Sequence, residues 1–264
     1  MICARRAALN NVFLDEVHEK IVIHGIEPSD GKETISATSA ASGYGQRVTG
    51  ARRDTLDITI TFAIDIHKDD MPGRSEALEA VNAWAAIARD GAWLTLNYKP
   101  NRRIRVKLAQ APGEGSLWDY SKDFTITFRA YGLPYWEEEV ANSVTFGGGA
   151  ASGSGTAQIS GSALTQCDVE LANMSGMTIN NCTLSVGNKT MTFSSLGLGN
   201  GEALIVDHND GLVRIRIRNG GSYRSAMANR AGANDFMIAP GNNGCSFSAD
   251  RACRMTVSWR SRFL

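Results

Sequence analysis

The clearest pattern along the chain is strict alternation. In LDITITFAIDI (56–66), Leu56, Ile58, Ile60, Phe62, Ile64 and Ile66 alternate with Asp57, Thr59, Thr61, Ala63 and Asp65. A period of two predicts a strand with one dry and one wet face. KDFTITFRAY (122–131) repeats the pattern with Phe124, Ile126 and Phe128. The shared string TITF fits similar positions in one sheet better than a duplicated domain. IVIHG (21–25), AWLTLNY (92–98) and RIRVKL (103–108) are further strand candidates. One stretch has helical spacing instead: SEALEAVNAWAAIARD (75–90) sets Leu78, Val81, Ala85 and Ala88 on one stripe, widened by Trp84 and Ile87. Ser75 is its expected N-cap and Gly91 its stop.

The pattern changes after about residue 140. Residues 147–155 read GGGAASGSG, a composition that predicts a loose joint rather than a packed element. Short strand candidates then follow at 157–160, 166–172, 178–186, 189–193, 203–208, 212–218, 235–239, 244–248 and 252–259. Glycine turns separate them, and Asn209-Asp210-Gly211 joins ALIVDH to LVRIRIR as a hairpin. The expected fold is mainly β with one α-helix. An N-terminal β domain with that one helix spans 1–142, a joint 143–156, and an all-β sandwich or jelly roll 157–264.

Composition narrows the function. Lys+Arg and Asp+Glu are 27 each, so the net charge is zero and long-range attraction for nucleic acid or anionic lipid is not expected. No apolar run reaches the roughly 20 residues of a membrane span, and Asn10, Asn11 and Asp15 interrupt any signal-peptide core. Cys3, Cys167, Cys182, Cys245 and Cys253 are odd in number and widely spaced, so reduced thiols made in a reducing cytoplasm are expected, without a zinc or redox motif. His18, His24, His67 and His208 are scattered, and Walker A, Gly-x-Ser-x-Gly and His-Glu-x-x-His are missing from the sequence. DHNDG (207–211) lacks the alternating carboxylates and distal Glu of a calcium loop. No catalytic residue, metal or cofactor is expected.

Two charge patterns remain. Glu137, Glu138 and Glu139 read as a solvated strand exit, being too close in sequence for a glycosidase pair. Arg214, Arg216 and Arg218 take alternate positions on one strand, opposite Val213, Ile215 and Ile217. They form either an ordinary wet face or a contact surface for an acidic partner. Arg102, Arg103 and Arg105 make a shorter cluster.

The order of these features resembles the siphophage distal tail proteins, which form the hub at the end of a long non-contractile phage tail. GYGQRVTGARRDTLDITITF (43–62) resembles that family's polar arm and first long strand. SEALEAVNAWAAIARDG resembles its single helix, and Pro134-Tyr135-Trp136 its domain-closing signature. LGNGEALIVDHNDGLVRI (198–215) and NDFMIAPGNNGCSFSADRACRMTVSWRSRFL (234–264) resemble its second half, whereas the first 20 residues depart from its usual opening. The resemblance implies a homo-hexameric ring and a galectin-like C-terminal β-sandwich. It also implies an adaptor at the distal end of the virion tail that joins the tail tube protein to the tail-tip hub, with receptor-binding proteins as further partners. On this reading Tyr44, Arg47 and Arg53 of the arm touch an adjacent subunit. The alternative is a carbohydrate-binding module or host-receptor-binding protein, for which an exposed Tyr223–Trp259 pair would be the platform.

Overall fold

A computed structural model describes residues 5–29, 33–39, 46–53, 55–113, 123–131, 134–209 and 212–264. The chain divides into two compact units, Met1–Trp136 and Glu137–Leu264.

The first unit contains β1 (Ala7–Leu9), β2 (Val12–Phe13), β3 (Ile21–Pro28), β4 (Glu33–Ser39), β5 (Gln46–Arg53), β6 (Asp57–Ile64), α1 (Met71–Ala86), β7 (Ala92–Leu96), β8 (Arg102–Gln110) and β9 (Phe124–Ala130). The short β10 (Trp136–Glu138) closes it. Its main antiparallel sheet runs β2-β1-β7-β8-β9-β6-β3. The two TITF strings lie side by side, with Ile60 opposite Ile126 and Thr59 opposite Thr127. Their alternate residues Ile58, Ile60, Phe62, Ile126 and Phe128 are fully buried, and Phe62 stacks on Phe124 at 5.4 Å. Helix α1 covers this dry face: Leu78, Val81 and Trp84 are buried, and Trp84 meets Phe128 edge-on at 5.7 Å.

The helix begins four residues before the expected start and ends four before the expected finish. Asp70, not Ser75, is the cap, accepting a hydrogen bond from the Gly73 N–H at 3.1 Å, and Pro72 occupies the first turn. Proline there needs no N–H partner, which makes Asp-Met-Pro the stronger start signal.

The second unit contains β11 (Asn142–Ile159), β12 (Thr165–Asn173), β13 (Cys182–Val186), β14 (Lys189–Phe193), β15 (Ala203–Asn209), β16 (Leu212–Asn219), β17 (Ser222–Ser225), β18 (Arg230–Gly232), β19 (Met237–Ile238), β20 (Gly241–Trp259) and β21 (Arg262–Phe263). Its strands run β17-β16-β15-β12-β20-β13-β14-β18. The expected strands 244–248 and 252–259 are one long strand. The end of β20 pairs with β12 (Cys253 opposite Asn173, Trp259 opposite Cys167), and its start pairs with β13. The two halves enclose a core of Leu171, Leu184, Phe193, Val206, Ile217, Phe236, Met255 and Val257. Among the described residues the molecule is mainly β with a single α-helix, in two large curled antiparallel sheets and the separate two-stranded sheet of β4 and β5.

The expected joint at 143–156 is not a joint. It is most of β11, which pairs with β20 from Asn142 opposite Trp259 to Ile159 opposite Gly241, with irregularities at Gly147, Ala150 and Ser152. The glycines serve close packing. A Cβ on Gly155 would lie 2.6 Å from the Phe146 ring, and one on Gly147 2.7 Å from both the Phe247 ring and the Cys253 carbonyl. Phe146 and Phe247 stack at 6.0 Å over this backbone. Glycine in a strand marks such an approach as readily as it marks flexibility, and composition alone does not separate the two.

Candidate contact surfaces

The sequence placed subunit contacts on the polar arm. That arm is an antiparallel hairpin of its own: β4 and β5 form a two-stranded sheet, from Glu33 opposite Arg53 to Ser39 opposite Gln46. Few apolar residues occur in it, and an isolated two-stranded hairpin is marginal in water. Arg47 and Arg53 lie on β5; their side chains, and Tyr44 altogether, fall outside the described residues.

The three arginines of β16 do share one side, as expected, but two of them are matched from within the sheet. Arg216 donates to Asp207 on β15 at 2.5 Å and stacks over the Tyr223 ring at 4.3 Å. Arg218 donates to Glu170 on β12 at 2.7 Å. Arg214 is exposed, opposite Asp207 in register. The face is thus an interleaved acid–base lattice more than a bare cationic stripe. A charged pair that is already matched offers little to an acidic partner, because exchanging one carboxylate for another gains little.

The Tyr223–Trp259 platform is not formed. Trp259 is 7% exposed and belongs to the core, while Tyr223 is 53% exposed beneath Arg216. Glu137 and Glu138 are not a solvated exit: both are half-buried. The Glu138 carboxylate accepts from the Ser261 N–H at 3.1 Å, and Arg260 donates to the Glu138 and Glu139 carbonyls.

Several polar anchors had no motif to reveal them. Asn173 is buried and donates to the carbonyls of Met177, Leu198 and Gly199, so it fixes two loops at one end of the second unit. Glu202 lies beside it in those loops. Burial alone would raise its pKa, but the Gly199 N–H, Arg224 and Asn219 hold it below the usual carboxylate range. His208, with 2% of its side chain exposed, faces Asp168 at 3.0 Å. The only sequence signal for Asn173 and His208 is polar character at an inward strand position, and Glu202, between strands, has none.

Among the described residues no group of three His, Cys, Asp or Glu side chains is placed to hold a metal. Cys167, Cys182, Cys245 and Cys253 are buried and unbridged, and burial pushes the thiols of Cys167 and Cys182 up to about 12. No helix among the described residues is long and apolar enough to cross a membrane.

No family model and no curated protein matches the chain. Among solved structures, the chain is similar to the Dit protein of phage SPP1, described as a paradigm of the hub adsorption apparatus in phages infecting Gram-positive bacteria. The alignment covers 98% of this chain and 99% of that one, at a TM-score of 0.68 and 14% identity. Two structures of the phage p2 baseplate in its activated conformation align at TM-scores of 0.47 and 0.46, with 9% and 7% identity. Across both units, then, this chain has the fold of the SPP1 hub protein.

Proposed function

We propose that the protein is a structural component of a phage virion, a ring-shaped adaptor at the distal end of a long non-contractile tail. In this reading it joins the tail tube to the tail-tip hub and carries receptor-binding proteins. The observation that carries the reading is the match to a hub protein over essentially the whole of both chains. A shared fold does not fix function, so the arm supplies independent support. A hairpin with no third strand among the described residues gains stability by lying on a neighbour. A head-to-tail contact of that kind closes into a ring when its rotation divides the circle. Tyr44, Arg47 and Arg53 then face the adjacent subunit, with Arg53 opposite a carboxylate. The glycan-binding alternative has lost its aromatic platform, since Trp259 is in the core.

Deleting 40–52 tests the reading. Both units should stay folded by circular dichroism, and the hexamer should dissociate in sedimentation. A deletion variant that remains hexameric contradicts it.

A further inference from the structure

The shorter cationic cluster of the sequence lies on β8, in a setting unlike that of the β16 arginines. Ile104 and Val106 of β8 are buried, and they alternate with Arg103, Arg105 and Lys107 on the wet face of the sheet. Alternate residues of a strand lie roughly 6–7 Å apart, so these cations form an evenly spaced row. Register sets Trp93 of β7 opposite Arg105, and Arg129 of β9 opposite Lys107. Tyr131 follows β9, and its N–H donates to the Arg105 carbonyl at 3.4 Å.

Aromatic rings hold this row in place. The Arg103 guanidinium lies over the Trp93 ring at 3.8 Å, and Arg105 and Lys107 lie over the Tyr131 ring at 5.2 and 5.1 Å. A ring fixes a cation without neutralising it, whereas a carboxylate does both. Lys107 is exposed, and among the described residues its partner is that ring and no carboxylate. Asp57 is the one carboxylate on the wet positions of β6 to β9, and it is engaged by both arms of Arg129 at 2.7 and 2.8 Å. The face is cationic in a chain whose net charge is zero.

We infer that this face docks an acidic, extended segment of a partner protein, which sets the carboxylates of alternate residues along the row Arg103, Arg105 and Lys107. Charge and spacing select that occupant, because an extended segment repeats its side chains on one side at the same roughly 6–7 Å. A nucleic-acid strand fits less well: its bases need open ring faces on which to stack, and the cations cover Trp93 and Tyr131. The surface lies within the first unit and requires no second copy of the chain, so it goes beyond the ring reading and does not depend on it.

Fluorescence anisotropy of the full chain with a labelled Glu-Thr repeat peptide tests this, with a Lys-Thr repeat and single-stranded oligo-dT as the other probes. The Glu-Thr peptide should bind, more weakly as salt is added, and the Lys-Thr peptide should not. Lys107→Glu should weaken binding about tenfold, Lys107→Gln less, and Lys107→Arg should leave it unchanged. Position 107 is exposed, so the thermal melts of these variants should match wild type. Arg214→Glu, on the second unit, should bind the peptide as wild type does. A Glu-Thr peptide that fails to bind, or that binds Lys107→Glu as tightly as wild type, overturns the proposal. Tighter binding of oligo-dT or of the Lys-Thr peptide also overturns it. A protein that stays monomeric yet binds the Glu-Thr peptide in this pattern contradicts the ring reading alone.

Discussion

Strands β16 and β11 of the second unit make an instructive contrast. Strand β16 carries three arginines on one side, the most conspicuous charge pattern in the chain, yet Arg216 and Arg218 are matched by Asp207 and Glu170 on neighbouring strands. Strand β11 has no charge and reads as a spacer, yet it lies along β20 and leaves its other side without a strand partner among the described residues. Charges visible in a sequence tend to find partners inside the sheet. The backbone edge of a bland strand has no such internal outlet, and the side chains say nothing about whether it is covered.

The contrast breaks most sharply at Gly155. Replacing it with Val drives a side chain into the Phe146 ring, and the expected loss is about 3 kcal/mol of unfolding free energy in urea titration. Gly149 has nothing within 4 Å of a Cβ, so Gly149→Ser in the same strand should be nearly silent. Equal effects at the two positions would show that the segment is a loose joint after all.

A smaller effect is expected at Glu202, beside the charged strands. Glu202→Gln weakens contacts to Gly199, Arg224 and Asn219 and should cost about 2 kcal/mol at neutral pH. The Glu202 pKa is lowered in the fold, so its contribution is present above the unfolded carboxylate pKa and lost as pH falls through the folded one. The difference between wild type and E202Q should therefore shrink in acid, and a gap that widens below pH 4 contradicts the assignment.

Smallest are the arginine-face substitutions. Asp207→Ala removes the partner of Arg216 and should cost about 1 kcal/mol, while Arg214→Ala at an exposed position should stay within about 0.5 kcal/mol in thermal or urea melts. Arg214→Ala as the costlier of the two would mean that the lattice is misassigned.

Much of the fold is legible from alternation. The pairing of β6 with β9 follows from two copies of TITF, whose alternating burial excludes any one-residue slip because it would turn one apolar set to the wet face. The β15–β16 hairpin, paired to Asn209 opposite Leu212, follows from its turn residues, although Asp210 and Gly211 lie outside the described residues. The helix is legible in kind but misplaced, because its cap at Asp70 precedes the apolar stripe. What the sequence hides is non-local. Gly155 is glycine because of a ring nine residues earlier, and Asn173 is polar because of carbonyls at Leu198 and Gly199. Nothing in the local pattern announces either partner. The contact surfaces are hidden for the same reason: the arginines stand out locally, and the carboxylates that answer them come from β12 and β15.

Sedimentation velocity of the intact, purified chain tests the central claim most directly. A ring adaptor predicts a discrete particle of six chains of 28.4 kDa, seen as a closed ring by electron microscopy. A monomer at high concentration, or an open-ended series of sizes from a contact that does not close, contradicts it.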